Sequence, residues 1–249
     1  MQNEVLLNSI NKVDPDALSL VASGRVGYYA VKRIADIVIA FVLLVLLLPF
    51  MFIIALMIFI YSPGPVFFVQ ERVGAKRYTF KNYSYWKKEN FHCYKFRTMK
   101  INADPAIHKA YVKALIENDE AKMTALQGAP TQPRKLVNDA RLIRPGKLLR
   151  KLSLDELPQF WNVLIGDMSL VGPRPAIPYE LEMYKPWHMR RLEAQPGITG
   201  LQQVTARCIA DFDTQVRFDV EYIDRQSFWL DIKIMLKTPL AVISTKGAH

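Results

Sequence analysis

Cysteine is nearly absent: the 249-residue chain has two, Cys93 and Cys208, far apart and in no C-x-x-C pattern. A disulfide framework needs an even set of closely spaced cysteines in a short chain. A disulfide-stapled secreted module is therefore excluded, and both residues are expected to be reduced thiols. The four histidines (His92, His108, His188, His249) are scattered and offer no zinc-ligand spacing. Acidic residues are short as well, 23 Asp+Glu against 33 Lys+Arg, for a formal net charge of +10. Long apolar runs are missing with one exception, residues 37–61. There, 25 residues carry no charge and only Pro49 is not hydrophobic. One such run excludes a multi-span transporter, and 51% hydrophobic residues exclude intrinsic disorder. What is present is a basic globular domain joined to one membrane segment.

The first 30 residues are mixed and polar. A secretory signal would place a shorter apolar core nearer the start, followed by a small-residue cleavage site. Here the run leads into Tyr61-Ser-Pro-Gly-Pro65, so a retained anchor is expected. As a straight helix the run would be about 38 Å long, enough to cross a hydrocarbon core of about 30 Å. Pro49 stands at its midpoint, where a proline removes a backbone hydrogen bond and kinks a helix. Arg25, Lys32 and Arg33 flank one end, and Arg72, Lys76, Arg77 and Lys81 the other. Cations at both ends fit both ends lying on the cytoplasmic face. A simple span and a re-entrant hairpin stay open at this point. Asp36, at the mouth of the segment, needs a partner, and Arg33 is the candidate.

Residues 66–72 and 91–99 read as short strands bracketing a basic, aromatic-rich loop. Asp104-Pro105 is a helix start, with Asp as N-cap and Pro at the first helical position. Residues 101–135 read as a surface insertion without chemistry, with 128–133 (GAPTQP) as a loop. Arg141, Arg144, Lys147 and Arg150 recur every three residues. Such a series is either a solvated helix face or the lining of an anion site. Ser153 and Glu156 have capping-box spacing, which accounts for them without any function. The same helix start would also attract phosphate and keep Asp155 ionised as a nucleophile. Adjacent carboxylates near arginines suit Mg²⁺ and phosphates, because hard cations prefer oxygen ligands. Arg174, between Pro173 and Pro175, sits on a stiff backbone that would pre-position its fork for phosphate. Residues 196–200 form a tight turn. Residues 227–243 are either an interfacial amphipathic helix or a buried core helix.

In order, the chain presents Lys32-Arg-Ile-Ala-Asp36, Ser62-Pro-Gly-Pro-Val66, Gln70-Glu-Arg-Val-Gly74 and Tyr94-Lys-Phe-Arg-Thr-Met99. Then follow Leu149-Arg-Lys-Leu-Ser-Leu-Asp-Glu-Leu-Pro-Gln159, Asn162-Val-Leu-Ile-Gly-Asp-Met-Ser-Leu-Val-Gly-Pro-Arg-Pro175 and Pro196-Gly-Ile-Thr-Gly200. This succession resembles the bacterial sugar transferase family, the monotopic polyprenyl-phosphate phosphoglycosyl transferases, in a small catalytic-core form. The resemblance implies transfer of a phosphosugar from a UDP-sugar to undecaprenyl phosphate, giving a polyprenyl diphosphate sugar and UMP and initiating surface glycoconjugate synthesis. It implies an aspartyl-phosphosugar intermediate and Mg²⁺. It makes Asp155 the nucleophile and a metal ligand, and Glu156 its helper with metal or proton. Arg174, Arg150, Arg97 and Arg72 would bind substrate phosphate. The implied fold is α+β and mainly helical, a monotopic membrane protein. An N-terminal extension (1–30) precedes a re-entrant helix (31–61) broken at Pro49. A cytoplasmic domain (62–249) with interfacial amphipathic helices follows. The implied partners are the UDP-sugar, the polyprenyl phosphate and anionic lipids at the cytoplasmic face of the bacterial inner membrane. A homo-oligomer is allowed and nucleic acid is not among the partners. Two departures are plain. Leu48-Pro49 stands where well-known members carry Ser-Pro, and Leu201 stands where Trp is frequent. A competing reading is a non-catalytic, membrane-tethered basic binding protein; the Asp155-Glu156 pair and Arg174 weigh against it.

Overall fold

A computed structural model describes residues 2–21, 23–127, 141–206 and 210–243. Cys208, His249 and the expected 128–133 loop lie outside the described residues. The chain opens with α1 (Gln2–Asn11) and a short strand, β1 (Ala17–Leu20). The apolar run then forms the larger part of one helix, α2 (Val26–Tyr61), with Pro49 inside it. Among the described residues it is the one helix long and apolar enough to cross a membrane. Its middle is bare, with Phe41, Leu46 and Phe52 largely exposed, unlike the core helix of a soluble protein.

Both ends of α2 are held by the rest of the molecule. Near the start, Lys32, Asp36 and Ala40, spaced four apart on one face, are buried. Lys32 Nζ lies 2.9 Å from Asp231 Oδ2, and Asp231 also accepts hydroxyl hydrogens from Tyr28 and Tyr222. Asp36 accepts from the Leu170 backbone N–H at 3.0 Å. Arg33 is not its partner: that guanidinium donates instead to the Val163 and Leu164 carbonyls, orphaned at the end of a later helix. Near the finish, Ile54 and Ile58 pack with Phe96, Ile143 and Leu149.

The expected basic loop is not a loop. β2 (Phe67–Phe80) and β3 (Tyr83–Phe96) pair in continuous antiparallel register from Phe67↔Phe96 to Phe80↔Tyr83. Residues 73–90 are strand, closed by a two-residue turn in which Lys81 is left-handed, with φ 54°. Charged and aromatic side chains are compatible with strand here because much of the hairpin's outer part faces solvent. β1 adds to the other edge of β3, and Asp14 anchors it through Lys87 and Tyr85.

α3 (Ala106–Glu117) begins where Asp104 Oδ1 accepts from Ala106 N at 2.8 Å. It ends at left-handed Asn118, before α4 (Glu120–Gln127). The described part of the 101–135 segment is no loose insertion. Val112 and Ile116 bury against Phe212 and Val216, with Tyr179 and Tyr184 packed alongside.

The remaining elements are short: α5 (Gly146–Lys151), α6 (Gln159–Ile165), β4 (Ser169–Val171), α7 (Pro178–Leu181), β5 (Gly197–Thr199) and α8 (Leu201–Thr205). Two longer helices, α9 (Phe212–Arg225) and α10 (Phe228–Ile243), close the described fold. β4 and β5 run parallel, so the Gly-Pro-Arg-Pro and Pro-Gly-Ile-Thr-Gly segments lie backbone to backbone. A Cβ on Gly172 would strike the Gln195 carbonyl, and one on Gly197 would strike Gly172 N. Glycine is needed at both positions for this approach. Tyr222 (α9), buried beneath β4, donates to Asp231 Oδ1 at 2.8 Å with its hydroxyl 3.1 Å from Val171 O, tying α9 and α10 to this core. The fold is mixed helix and sheet, 57% helical, as the sequence led one to expect of a mainly helical α+β chain.

Candidate active site

Asp155 and Glu156 do not open a helix. α5 ends at Lys151 with Leu152 as its C-cap, Ser153 turns left-handed at φ 55°, and Leu154–Glu156 form one 3₁₀ turn before Pro158 leads into α6. Ser153 makes no side-chain cap hydrogen bond, so the expected capping box is absent. Glu156 reaches across to β3 instead. Leu154 and Leu157 pack against the Phe96–Ile58 cluster, which pins the turn and leaves its carboxylates to the polar side.

β2 and β3 supply the opposite wall. Cross-strand partners and alternate residues share a sheet face, so Gln70, Arg72, Cys93 and Lys95 project together. Lys95 Nζ lies 3.1 Å from Glu156 Oε1. Asn162 on α6 fixes the spacing between the two walls. Its side-chain oxygen accepts from Tyr94 N at 3.0 Å, and its Nδ2 donates to His92 O at 2.7 Å. Arg150, on α5, donates to Thr98 Oγ1 at 3.0 Å.

The Pro173-Arg174-Pro175 turn closes the third side. Arg72, only 5% exposed, donates to Pro175 O at 3.0 Å and to Gln70 Oε1 at 2.7 Å. Val73 and Ala176 bridge the same two segments. The Arg174 backbone is flanked by buried prolines, while its side chain is exposed and has no partner among the described residues. Burial first, and then the charge of Arg174, hold the Arg72 guanidinium below its usual value; Glu180 and Glu156 oppose this. Two guanidiniums in mutual repulsion make the place attractive to an anion.

Asp155 is 9% exposed. Burial, and next the neighbouring Glu156 charge, push its carboxyl up to about 6, while Lys95 and Arg150 pull it back. Perturbation of this kind gathers at functional sites. Among the described residues no group of three metal-ligating side chains forms. An adjacent carboxylate pair suits Mg²⁺, which binds through one or two carboxylates and takes its other oxygens from water and phosphate.

Of the sequence candidates, Asp155, Glu156, Arg150, Arg72 and Arg174 come together. Arg97 does not join them. It is buried and donates to the Ser62 carbonyl in the turn after α2, with Nε and Nη1 unpaired. Pro49 lies in the exposed middle of α2. The three-residue basic series is not one helix face: Arg150 reaches Thr98 in a partly buried contact, Arg141 holds Asp104 O at the surface, and Arg144 and Lys147 are exposed. Sequence reasoning missed Lys95 and Asn162. Strand alternation from Arg97 would have flagged Lys95, and a lone amide in the apolar Phe-Trp-Asn-Val-Leu-Ile stretch would have flagged Asn162.

The chain is similar to several known proteins. The chain is 38% identical over 223 residues to the undecaprenyl-phosphate galactose phosphotransferase of Salmonella typhimurium, an alignment covering 88% of this chain and 41% of that protein. It is 37% identical over 226 residues to the UDP-glucose:undecaprenyl-phosphate glucose-1-phosphate transferase of Escherichia coli, covering 88% and 41%. It is 35% identical over 218 residues to the exopolysaccharide production protein ExoY of Sinorhizobium fredii, covering 88% of both chains. The chain thus spans about two fifths of the first two relatives and most of the third. A match to the family described as bacterial sugar transferase runs over residues 27–245, taking in α2, the carboxylate turn and the arginine wall, and the chain belongs to that family.

Proposed function

We propose that this protein is a phosphoglycosyl transferase that moves a sugar phosphate from a UDP-sugar to a polyprenyl phosphate. The observation that carries the reading is the buried Asp155, beside Glu156 and facing Lys95 and Arg150 within an arginine-lined site. The names of the relatives support the same reaction, since those in Salmonella and Escherichia coli are transferases onto undecaprenyl phosphate.

In the first step the Asp155 carboxylate attacks the donor's β-phosphorus. An aspartyl O–P bond forms, the bond to the bridging oxygen breaks, and UMP leaves with that electron pair. In the second step an oxygen of the polyprenyl phosphate attacks the same phosphorus. The carboxylate is released and polyprenyl diphosphate sugar departs. A carboxylate nucleophile divides one difficult displacement into two. Phosphoryl transfer then depends on positioning and charge neutralisation. Arg72, Arg150 and Arg174 hold the phosphates, and Lys95 orients Glu156. Asp155 and Glu156 would hold Mg²⁺, which when bound neutralises developing phosphate charge.

The membrane geometry belongs to the same proposal. α2 enters and leaves the bilayer on the cytoplasmic face, bent at Pro49. Support comes from its two docked ends on one globular part and the bare stretch between them. α10 lies in the interface, with Trp229, Leu236, Leu240 and Ile243 exposed on an otherwise anchored helix. A product this apolar and a donor this polar meet only at such a surface. The reaction would begin assembly of a surface glycoconjugate.

The test is UMP release from a panel of UDP-sugars with undecaprenyl phosphate and Mg²⁺. Asp155→Asn is expected to abolish release; full activity in that variant removes the nucleophile assignment.

A further inference from the structure

Residues 101–135 read in the sequence as an insertion without chemistry, yet the described part of this segment places one histidine at the arginine wall. Arg141 Nη1 donates to Asp104 O at 2.6 Å, fastening the start of α3 to the basic segment. α7 follows directly on the Pro-Arg-Pro turn that Arg72 holds. His108 of α3 and Tyr179 of α7 meet there, with Nδ1 and Oη 2.8 Å apart. Both side chains are half-buried. Burial first, then Arg141, Arg72, Arg150 and Arg174, push the imidazole down to about 4. Three of the site's arginines, together with Arg141, are thus within electrostatic reach of one ring. That ring is neutral at pH 7.

The hydrogen bonding fixes which nitrogen carries the proton. Burial and Glu180 push the Tyr179 phenol up to about 12, so it keeps its hydrogen. That hydrogen has no other acceptor among the described residues, so it goes to Nδ1. A neutral imidazole that accepts at Nδ1 carries its proton at Nε2. The tautomer is assigned from this network. Nε2–H has no partner among the described residues. The bond to Tyr179 accounts for one side of the ring and leaves the other free. Charged guanidiniums suit phosphate oxygens, while a neutral N–H among them suits an uncharged acceptor held next to the phosphates.

We propose that His108, oriented by Tyr179, binds the UDP-sugar donor through Nε2–H, at a carbonyl or hydroxyl oxygen of its base or sugar. The proposal rests on the donor-binding reading above and adds a recognition residue to it.

The experiment measures UMP release by the full chain in detergent or lipid discs, varying UDP-sugar and undecaprenyl phosphate separately. His108→Ala is expected to raise the donor KM about three- to tenfold, the worth of one neutral hydrogen bond. The acceptor KM and kcat stay near wild type. His108→Gln, which restores an N–H donor, is expected to recover most of the loss. Melting curves of both variants check folding, and a purely structural role would not split donor KM from acceptor KM. Product inhibition by UMP locates the oxygen. A weaker UMP constant in His108→Ala puts it on the nucleotide, and an unchanged one puts it on the sugar; each supports the proposal when the donor KM rises. An unchanged donor KM, or equal losses toward donor and acceptor, overturns it while leaving the transferase reading intact. A wild-type chain that releases no UMP from any donor overturns both.

Discussion

Asn162 is fully buried and uses both ends of its amide on the β3 backbone, at His92 O and Tyr94 N. Truncation would orphan one buried donor and one buried acceptor at once. Each such loss costs about 1–3 kcal/mol. Asn162→Ala is therefore expected to lower unfolding free energy by roughly 2–4 kcal/mol, read by denaturant titration in detergent. It should also slow UMP release in the surviving folded protein, because the carboxylate turn is no longer spaced from Lys95. His108 gives a second expectation. Its ring titrates near 4 when folded and near about 6.5 when unfolded. Between those pH values the unfolded chain holds a proton that the folded one lacks. Stability is then fully present above about pH 6.5 and falls as the pH drops toward 4, by at most about 1.4 kcal/mol per unit. A stability-against-pH series should be flatter by that amount for His108→Gln; parallel curves would refute the assignment.

Among the elements, α2 raises the clearest question. A straight helix of 36 residues would extend about 54 Å. Yet Asp36 is held by β4, and Ile58 is held by Phe96 at the end of β3. With Lys12→Cys and Glu71→Cys placed singly in a chain otherwise free of cysteine, a membrane-impermeant maleimide should label both from the same side of sealed vesicles. Labelling from opposite sides would mean a plain span. The hairpin carries a different lesson. Its outer half reads as a charged loop, because residues 77–79 are exposed on both faces and alternate nothing recognisable, while the pairing is set by the partner strand. The 3₁₀ turn at Leu154–Glu156 was equally hidden. Capping-box spacing is a local rule, and here the Glu156–Lys95 bridge to another element overrides it.

At the scale of the whole molecule, the +10 charge divides by place. Part of it flanks α2 and part surrounds the carboxylate turn, as Lys95 and Arg150 do. On the proposed reading, Asp155 and Glu156 would hold Mg²⁺ and so add to the charge neutralisation that phosphoryl transfer needs. Chelation with EDTA is expected to reduce UMP release to background and added Mg²⁺ to restore it. Undiminished turnover in EDTA would exclude the metal from the mechanism. On the proposed membrane geometry, the cations flanking α2 and the exposed Trp229 of α10 would both meet an anionic leaflet.

The sequence by itself determined the long apolar segment of α2, the mainly helical α+β class, the family and the Asp155, Glu156, Arg150, Arg72 and Arg174 candidates. Each of these is written in local order: an uninterrupted apolar run, or residues adjacent in a short motif. Tertiary structure alone decided that Lys95 faces Glu156, that Arg97 serves the turn after α2, and that Gly172 and Gly197 are glycine because two backbones touch. It also decided that His108 meets Tyr179, which follows the Pro-Arg-Pro turn. Those are contacts between segments far apart in the chain. Their partners are chosen by β-register and helix packing, and no periodicity within either segment encodes them.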